Sequence, residues 1–256
     1  MNENRIEGTF EERCLVLNKL IKENITTFFG GAGVSTASGI PDFRSSNGMY
    51  NTNYNTKYKP EYLLSKTCFN HSPKDFYAFY KNAFDLRKYE PNECHKKLAE
   101  MERLNYLNGI ITQNVDGLHS KAGNKNIAEI HGTIYDNYCI KCGKHFDVNF
   151  IFDTEDLIPK CPHCNKTIGF VRPNIVLYEE SLNKEKVNLA FDYLDNANLL
   201  IVGGTSLQVF PAASYVSEFK GQYLVIINRD ETPYDKYANI IFREDINEVF
   251  KNLKFD

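Results

Sequence analysis

The chain has 256 residues, which is enough to bury a substantial core in one large domain, or in one large and one small domain. Its net charge of −3 and isoelectric point near 6.1 argue against nucleic-acid binding driven by overall charge, and its mean hydropathy of −0.44 argues against a membrane-spanning protein. The polar N-terminus carries no secretory signal, so we expect a cytoplasmic protein with no nucleic-acid or membrane partner, and a monomer by default.

The first predicted elements are a helix and a buried strand. Thr9 and Glu12 have the spacing of a capping box, and apolar residues follow them at helical intervals. The β-rich run of residues 25–29 then leads into Gly31 and Gly33, which predicts a strand that ends in a tight turn. In such a turn, backbone N–H groups and a helix N-terminus can face a phosphate.

This turn differs from the common dinucleotide fingerprint G-x-G-x-x-G. Gly31, Ala32 and Gly33 supply its first half, but Thr36 stands in place of the third glycine. No acidic residue about twenty positions later is placed to hold a ribose. We therefore predict a dinucleotide pocket of a different design, with an ordinary glycine turn as the alternative.

The next stretch departs from a simple phosphate turn and then loses its periodicity. Asp42, Phe43 and Arg44 place a carboxylate, an aromatic ring and a guanidinium side by side. Residues 45–59 predict a long loop, which in a compact domain is usually a functional lid. A Ser-Pro pair at residues 72–73 then predicts the start of an aromatic-rich helix.

A second predicted strand covers residues 107–112 and runs into Gln113, Asn114 and Asp116. Polar side chains at the carboxyl end of an α/β strand point into the ligand crevice. A turn in which Asn and Asp bond to their own backbone is the alternative. A further short strand ends at His131, a residue that on its own is more often structural than catalytic.

Four of the seven cysteines form two C-x-x-C pairs, Cys139 with Cys142 and Cys161 with Cys164. The separation of the pairs fits a two-knuckle zinc site, and four thiolates give Zn²⁺ a closed tetrahedral shell with no open position. We therefore predict one structural zinc ion. The alternative, two redox-active C-x-x-C pairs, is rare at this spacing.

Three stretches of the chain match one family in sequence. They read G-A-G-V-S-T-A-S-G-I-P-D-F-R over residues 31–44, T-Q-N-V-D-G-L-H over residues 112–119, and G-T-S-L-Q-V-F-P-A-A over residues 204–213. These stretches resemble the signatures of the sirtuins, the NAD-dependent protein lysine deacylases. The resemblance extends over nearly the whole chain and implies a bacterial-like, compact catalytic core.

Strands alternate with helices along the chain, which predicts an open, mostly parallel α/β sheet with right-handed crossovers. With the resemblance, this becomes a Rossmann-like NAD-binding domain made of residues 1–44, 96–132 and 172–256. A helical insertion with a cofactor loop, residues 45–95, and a zinc-ribbon module, residues 133–171, are expected to form a smaller domain.

The resemblance also implies the reaction and its residues, with His131 and Asn114 as the catalytic pair. The acyl oxygen attacks the C1′ carbon of the nicotinamide ribose, nicotinamide leaves, and His131 acts as general base on a ribose hydroxyl that then attacks the acyl group. Asn114 and Asp116 orient ribose and nicotinamide, and Phe43 covers the vacated nicotinamide site. The residues implied to bind NAD are Gly31, Ala32, Gly33, Thr36, Asp42, Phe43, Arg44, Gln113, Asn114, Val115, Asp116, His131, Gly204, Thr205, Ser206, Asn228, Arg229, Asp245 and Ile246.

Residues 172–180 resemble the family segment R-P-x-V-V-x-F-G-E, which pairs with the backbone of the acylated-lysine substrate. The residues implied to bind this peptide are Tyr80, Ile175, Val176, Leu177, Tyr178 and Glu179. Two of them depart from the family pattern, because Tyr178 replaces Phe and Glu179 replaces Gly. A carboxylate at Glu179 would favour peptides with Lys or Arg beside the acylated lysine. A solvent-facing side chain without effect is the alternative.

The acyl group is inferred from a Tyr-x-x-Arg helix motif shared by family members that prefer succinyl or malonyl groups. Here Tyr80 is present, but Ala83 replaces the Arg and cannot donate charged hydrogen bonds to an acyl carboxylate. We therefore expect an acetyl or other uncharged acyl preference, with acidic-acyl removal and protein ADP-ribosyl transfer as alternatives. An NAD-linked dehydrogenase is disfavoured by the missing third glycine and ribose carboxylate. A non-enzymatic zinc-ribbon adaptor would leave the motifs around His131, Asn114 and Phe43 unexplained.

Overall fold

The structure, a computed structural model, describes residues 5–42, 48–49, 56–164, 169–208 and 214–255. Nine strands follow one another within these residues. They are β1 (Thr26–Gly30), β2 (Leu107–Thr112), β3 (Ile127–Glu129), β4 (Gly132–Cys139), β5 (His145–Phe146), β6 (Val171–Ile175), β7 (Leu199–Gly203), β8 (Tyr223–Ile227) and β9 (Ile240–Phe242).

Ten helices flank these strands in the described part of the chain. They are α1 (Phe10–Glu23), α2 (Pro60–Leu63), α3 (Lys66–His71), α4 (Pro73–Ala83), α5 (Glu93–Arg103), α6 (Leu118–Ala122), α7 (Val148–Phe152), α8 (Lys184–Asp195), α9 (Ser214–Glu218) and α10 (Ile246–Lys251). The predicted capping box is confirmed, because Thr9 Oγ1 accepts from the Glu12 N–H and the Glu12 carboxylate accepts from the Thr9 N–H. Pro73 starts α4 as predicted, although the Ser72 side chain makes no capping hydrogen bond.

Six parallel strands form the main sheet in the order β3-β2-β1-β7-β8-β9. Phe28 of β1 pairs with Ile110 of β2 on one side and with Ile201 of β7 on the other, so β1 is central. The chain first builds the sheet outwards from β1 through β2 and β3, and later returns to the other side of β1 with β7. The strand order therefore reverses between β1 and β7, the position at which open α/β sheets bind ligands.

Apolar clusters cover both faces of this sheet. Phe28 and Phe29 point to opposite faces, as successive strand residues do. Phe28 lies in a cluster with Leu17 of α1 and Leu98 of α5. Phe29 lies in the opposite cluster with Leu194 of α8. The predicted open, parallel α/β sheet is therefore confirmed, and helices cover both of its faces.

A three-stranded antiparallel sheet in the order β5-β4-β6 forms the second layer of structure. One apolar cluster joins this sheet to helices α2, α3 and α4, and it includes Phe76, Tyr77, Ile134 and Val171. The helical insertion and the ribbon therefore share one core, as the smaller domain requires. The proposed boundary at residue 95 falls inside α5, which packs on the main sheet, and the division into domains stays a prediction.

Most of the predicted long loop lies outside the described residues, and so do Phe43 and Arg44. The described chain resumes at residue 56, and α2 follows at Pro60. Among the helices that are described, none combines the length and the apolar character that a membrane span needs.

Candidate active site

The loops after β1 and β7 meet backbone to backbone. The Gly31 N–H donates to the Gly203 carbonyl at 3.1 Å, and the Gly33 N–H donates to the Gly204 carbonyl at 2.8 Å. A Cβ atom added at Gly33 would lie 2.8 Å from Gly204 Cα, and one added at Gly31 would lie 2.8 Å from Thr205 Cβ. Glycine is therefore required where the two strand ends meet, because any side chain would push the loops apart.

A buried hydrogen-bond chain connects the loop after β1 to the loop after β2. Asn114 Nδ2 donates to the Gly31 carbonyl and to Ser35 Oγ, each at 3.1 Å. Ser35 Oγ in turn donates to Asp116 Oδ2 at 2.6 Å, and Asp116 Oδ1 accepts from the Leu118 N–H at 2.9 Å. Burial raises the pKa of Asp116, while the bonds from Ser35 and Leu118 lower it. The chain fixes the orientation of the Asn114 amide and provides the buried carboxylate with donors.

His131 lies between β3 and β4, directly before Gly132, and beside Gln113. Its Nδ1 is 3.0 Å from the Gln113 carbonyl oxygen, which can only accept, so Nδ1 carries the proton and Nε2 keeps a free lone pair. Burial lowers the pKa of His131, and the bond with the Gln113 carbonyl opposes this effect without cancelling it. The ring is therefore neutral near pH 7, and Nε2 is able to accept a proton.

Charged and polar groups surround the carboxyl end of β8. Arg229 forms an ion pair with Asp245, which also caps α10 by accepting from the Asn247 N–H at 2.9 Å. Asn228 follows β8 directly, and its side-chain amide donates to the Asp230 carbonyl at 2.9 Å. Such a mixture of donors and acceptors fits the hydroxyl groups of a ribose.

A partly buried ion pair fixes the segment after β6. Arg172 donates to both carboxylate oxygens of Glu180, at 2.8 and 3.0 Å, and Glu180 also accepts from the Leu177 N–H at 2.9 Å. Bidentate pairs of this kind set geometry as well as adding energy. The Val176 N–H donates to the His131 carbonyl at 2.8 Å, so the segment is held next to the histidine.

A cavity of about 610 Å³ brings most of the predicted site residues together. Its volume is within the usual range for cofactor and small-molecule pockets. The predicted cofactor-binding and catalytic residues in its wall are Ala32, Gly33, Thr36, Asp42, Gln113, Asn114, Val115, His131, Gly204, Thr205, Ser206, Asn228, Arg229, Asp245 and Ile246. The predicted peptide-binding residues in its wall are Ile175, Val176, Leu177, Tyr178 and Glu179.

Gly31 and Asp116 are not part of the cavity wall but bond to Asn114 and Ser35 behind it. Ser35 is a site residue that sequence reasoning did not single out, although it stands within the first motif. Its partner Asp116 lies 81 positions further along the chain, so only the fold could identify the contact.

Tyr80 is not in the wall of the cavity, although the resemblance implies that it binds the substrate. Its side chain is fully buried, and its ring stacks on Phe76, Phe84 and Phe152 with centroid separations of 5.8, 5.3 and 5.5 Å. Its hydroxyl finds no hydrogen-bond partner among the described residues. Phe84, one helical turn further on, lies in the cavity wall instead. The helix period places Tyr80 correctly on an inward face, but that face packs on the core of the smaller domain.

The four predicted metal ligands come together at one end of the ribbon. Their Sγ atoms all lie within 4.8 Å of one another, with 3.6 Å between Cys139 and Cys164 and 3.8 Å between Cys142 and Cys161. A tetrahedron with Zn–S bonds of about 2.3 Å has edges of about 3.8 Å, so the four thiols fit a zinc ion. A Cβ atom at Gly169 would lie 3.1 Å from Cys139 Sγ, which explains the glycine at this point.

Strand β4 separates this cysteine site from His131. It runs from Gly132 to Cys139, a length of roughly 23 Å at about 3.3 Å per residue. A zinc ion with four thiolate ligands has no open position for a substrate. The cysteine site therefore fits a structural role in holding the ribbon together.

The fold and the site define an α/β protein with a cofactor-sized cavity at the switch point of a parallel sheet and a zinc ribbon in its smaller domain. A profile described as the Sir2 family matches residues 31–211. The chain belongs to the Sir2 family, as its resemblance to the sirtuins predicted.

Curated relatives and solved structures agree with this assignment. The NAD-dependent protein deacetylase of Clostridium tetani (strain Massachusetts / E88) is 47% identical over 238 residues, which cover 93% of this chain and 95% of that protein. A Sir2 structure with a deacetylated p53 peptide and 3′-O-acetyl ADP ribose has a TM-score of 0.83 and 35% identity, and covers 93% of this chain and 96% of that one. A Sir2 structure with a p53 peptide and NAD⁺ has a TM-score of 0.79 and 34% identity, with 92% and 95% covered.

Proposed function

We propose that this protein is an NAD-dependent protein lysine deacetylase. It removes an acetyl or other uncharged acyl group from lysine side chains and releases nicotinamide and O-acetyl-ADP-ribose. The observation that carries the proposal is a neutral His131 in the wall of one cavity with both the glycine loops and the segment 175–179. The deacetylase name of the Clostridium tetani protein, at 47% identity, supports the same reaction.

The loops after β1, β2, β7 and β8 would hold NAD, which supplies the ADP-ribose group that accepts the acetyl group. The glycine contacts after β1 and β7 leave backbone free of side chains beside the cavity, where phosphates need close approach. Asn228 and Arg229 supply polar groups for the ribose of the adenosine half.

His131 acts as the general base. The Gln113 carbonyl holds Nδ1–H, so Nε2 is the atom that takes a proton from a ribose hydroxyl. A neutral ring is the required form, and burial keeps it neutral by lowering its pKa. Asn114 orients the reacting ribose through an amide that the Gly31 carbonyl and Ser35 hold in place.

The acyl preference follows from the apolar and charged groups in the wall. Phe84, Val115 and Leu177 provide apolar surface. Among the described wall residues, Arg229 is the one Lys or Arg, and it lies after β8, where it pairs with Asp245 on the side proposed for the adenosine ribose. A buried acyl carboxylate without a cationic partner carries a desolvation cost of several kcal/mol, which an acetyl group does not meet.

The test compares acetyl-lysine and succinyl-lysine in one peptide, with and without NAD. Mass spectrometry should show one nicotinamide and one O-acetyl-ADP-ribose for each acetyl group removed, and kcat/KM should be higher for acetyl-lysine. Reduction of NAD⁺ to NADH, seen as a change in nicotinamide absorbance, would instead identify a dehydrogenase. A clear advantage for succinyl-lysine would overturn the acyl preference.

We further propose that the protein acts in the cytoplasm on acylated-lysine proteins or peptides. Support for the compartment comes from the four thiols within 4.8 Å of one another, since zinc thiolate sites are typical of reducing surroundings. Support for the partner comes from the structural relatives, which include a Sir2 structure bound to an acetylated peptide.

A further inference from the structure

The segment after β6 is bonded to the start of α3. The Tyr178 N–H donates to the Leu64 carbonyl and the Lys66 N–H donates to the Tyr178 carbonyl, each at 3.0 Å. The Glu179 side chain extends this contact, because its Oε2 accepts from the Thr67 N–H at 3.0 Å and from Thr67 Oγ1 at 2.6 Å. Two backbone bonds and two side-chain bonds therefore join the helical insertion to this segment.

Glu179 occupies a backbone conformation that normally favours glycine. Its φ angle is +73°, in the left-handed region that side chains disfavour. A glutamate held there has a conformational cost that a glycine would avoid. The compensation is a charge-assisted pair of hydrogen bonds in the first turn of α3, where an anionic group is favoured.

Both sides of this contact border the cavity. Leu64, Tyr178 and Glu179 are all in its wall, and Tyr178 is 40% exposed. The contact therefore sets the position of the segment 175–179 relative to the helical insertion. A peptide that adds to this segment as an extended strand bonds to the segment in its ordered form.

We propose that Glu179 and Thr67 form a clamp that preorders the peptide-binding segment, which makes Glu179 a positioning residue for the peptide. The proposal rests on the proposed function, because the ligand concerned is an acetyl-lysine peptide. An ordered segment spares the peptide the entropy cost of ordering it on binding. Loss of the clamp therefore raises KM for the peptide, whereas kcat and KM for NAD stay close to the parent values.

The experiment measures these three constants in matched variants at both positions. Glu179→Gly and Thr67→Val are each expected to raise KM for an acetyl-lysine peptide by about 3- to 10-fold, as for loss of a partly exposed hydrogen bond. Thr67→Ser keeps the hydroxyl and should stay at the parent value. The double variant should be no worse than Glu179→Gly alone, because that change already removes both bonds to Thr67, whereas Thr67→Val leaves the bond from the Thr67 N–H in place. Glu61→Gln, an exposed glutamate in the first turn of α2, is the charge control.

The Glu179→Gly variant distinguishes the clamp from the alternative that the left-handed backbone accommodates Glu179 without any role in peptide binding. Glycine relieves the left-handed backbone, so a KM for the peptide that falls or stays constant would refute the clamp. The proposal is also refuted if Thr67→Val has no effect and Glu179→Gly weakens only peptides with Lys or Arg beside the acetyl-lysine. That result would mean that Glu179 contacts the peptide directly.

A second readout needs neither peptide nor catalysis. The Thr67 N–H donates to Glu179, so its hydrogen exchange should be faster in Glu179→Gly than in the parent and unchanged in Glu61→Gln. Unchanged exchange in Glu179→Gly would overturn the clamp. A parent protein without deacetylase activity would overturn the proposed function instead, so the two failures give different results.

Discussion

Ser35→Ala is expected to lower kcat/KM for NAD by about 10- to 150-fold. The change removes the 2.6 Å donor to Asp116 and the acceptor that Asn114 Nδ2 uses at 3.1 Å. Losing a hydrogen bond to a buried charged group costs about 1.5–3 kcal/mol. At about 1.4 kcal/mol for each factor of ten, this cost gives the expected range.

The loss should be largest on the acidic side of the pH profile. Burial raises the pKa of Asp116 and the bond from Ser35 lowers it, so the Ala variant has a higher Asp116 pKa than the parent. As the pH falls, the variant therefore loses the ionised carboxylate first. The acid limb of its kcat/KM profile is expected at higher pH than in the parent.

The assay measures kcat/KM for NAD across the acid limb at a saturating concentration of acetyl-lysine peptide. Ser38→Ala is the matched control, since it removes a hydroxyl from the same loop that has no hydrogen-bond partner among the described residues. Urea unfolding of both variants shows whether the fold is retained. A Ser35 variant with the parent profile, or an equal loss in the Ser38 variant, would refute the reasoning.

Three further predictions concern the base, the metal and the buried His95. His131→Ala should retain NAD binding, measured by calorimetry, but lose about 10²–10⁴-fold in turnover, and turnover near the parent rate would contradict the base assignment. The parent protein should hold about one zinc ion per chain, and Cys161→Ser or a strong chelator should lower the zinc content, the stability and the activity together. A zinc-free protein that stays folded and fully active would argue against a structural metal. Burial lowers the pKa of His95 to about 4, below its unfolded value of about 6.5, so the unfolded state binds more protons between these values. The free energy of unfolding should therefore fall as the pH drops from about 6.5 towards about 4. In His95→Gln the urea midpoint should fall less over this range, and the same pH dependence in variant and parent would contradict the role of His95.

Local patterns in the sequence were sufficient for the elements and the metal site. The strand Leu107–Thr112, the capping box of Thr9 and Glu12 and the paired cysteines all appear in the structure as predicted. The strand and the capping box depend on residues only a few positions apart, and the metal site depends on a spacing of cysteines that is typical of zinc sites. The motif resemblance added the family, which the comparisons confirm.

Contacts between residues far apart in the chain were decided by the tertiary structure alone. The partner of Ser35 follows from the pairing of β1 with β2, and the burial of Tyr80 follows from packing against Phe152 of the ribbon. Glu179 shows the same limit, because its bond to Thr67 spans 112 positions. A sequence pattern determines which face of an element is apolar. What that face packs against, and which polar groups meet across the fold, depend on strand order and on the docking of one layer on the next.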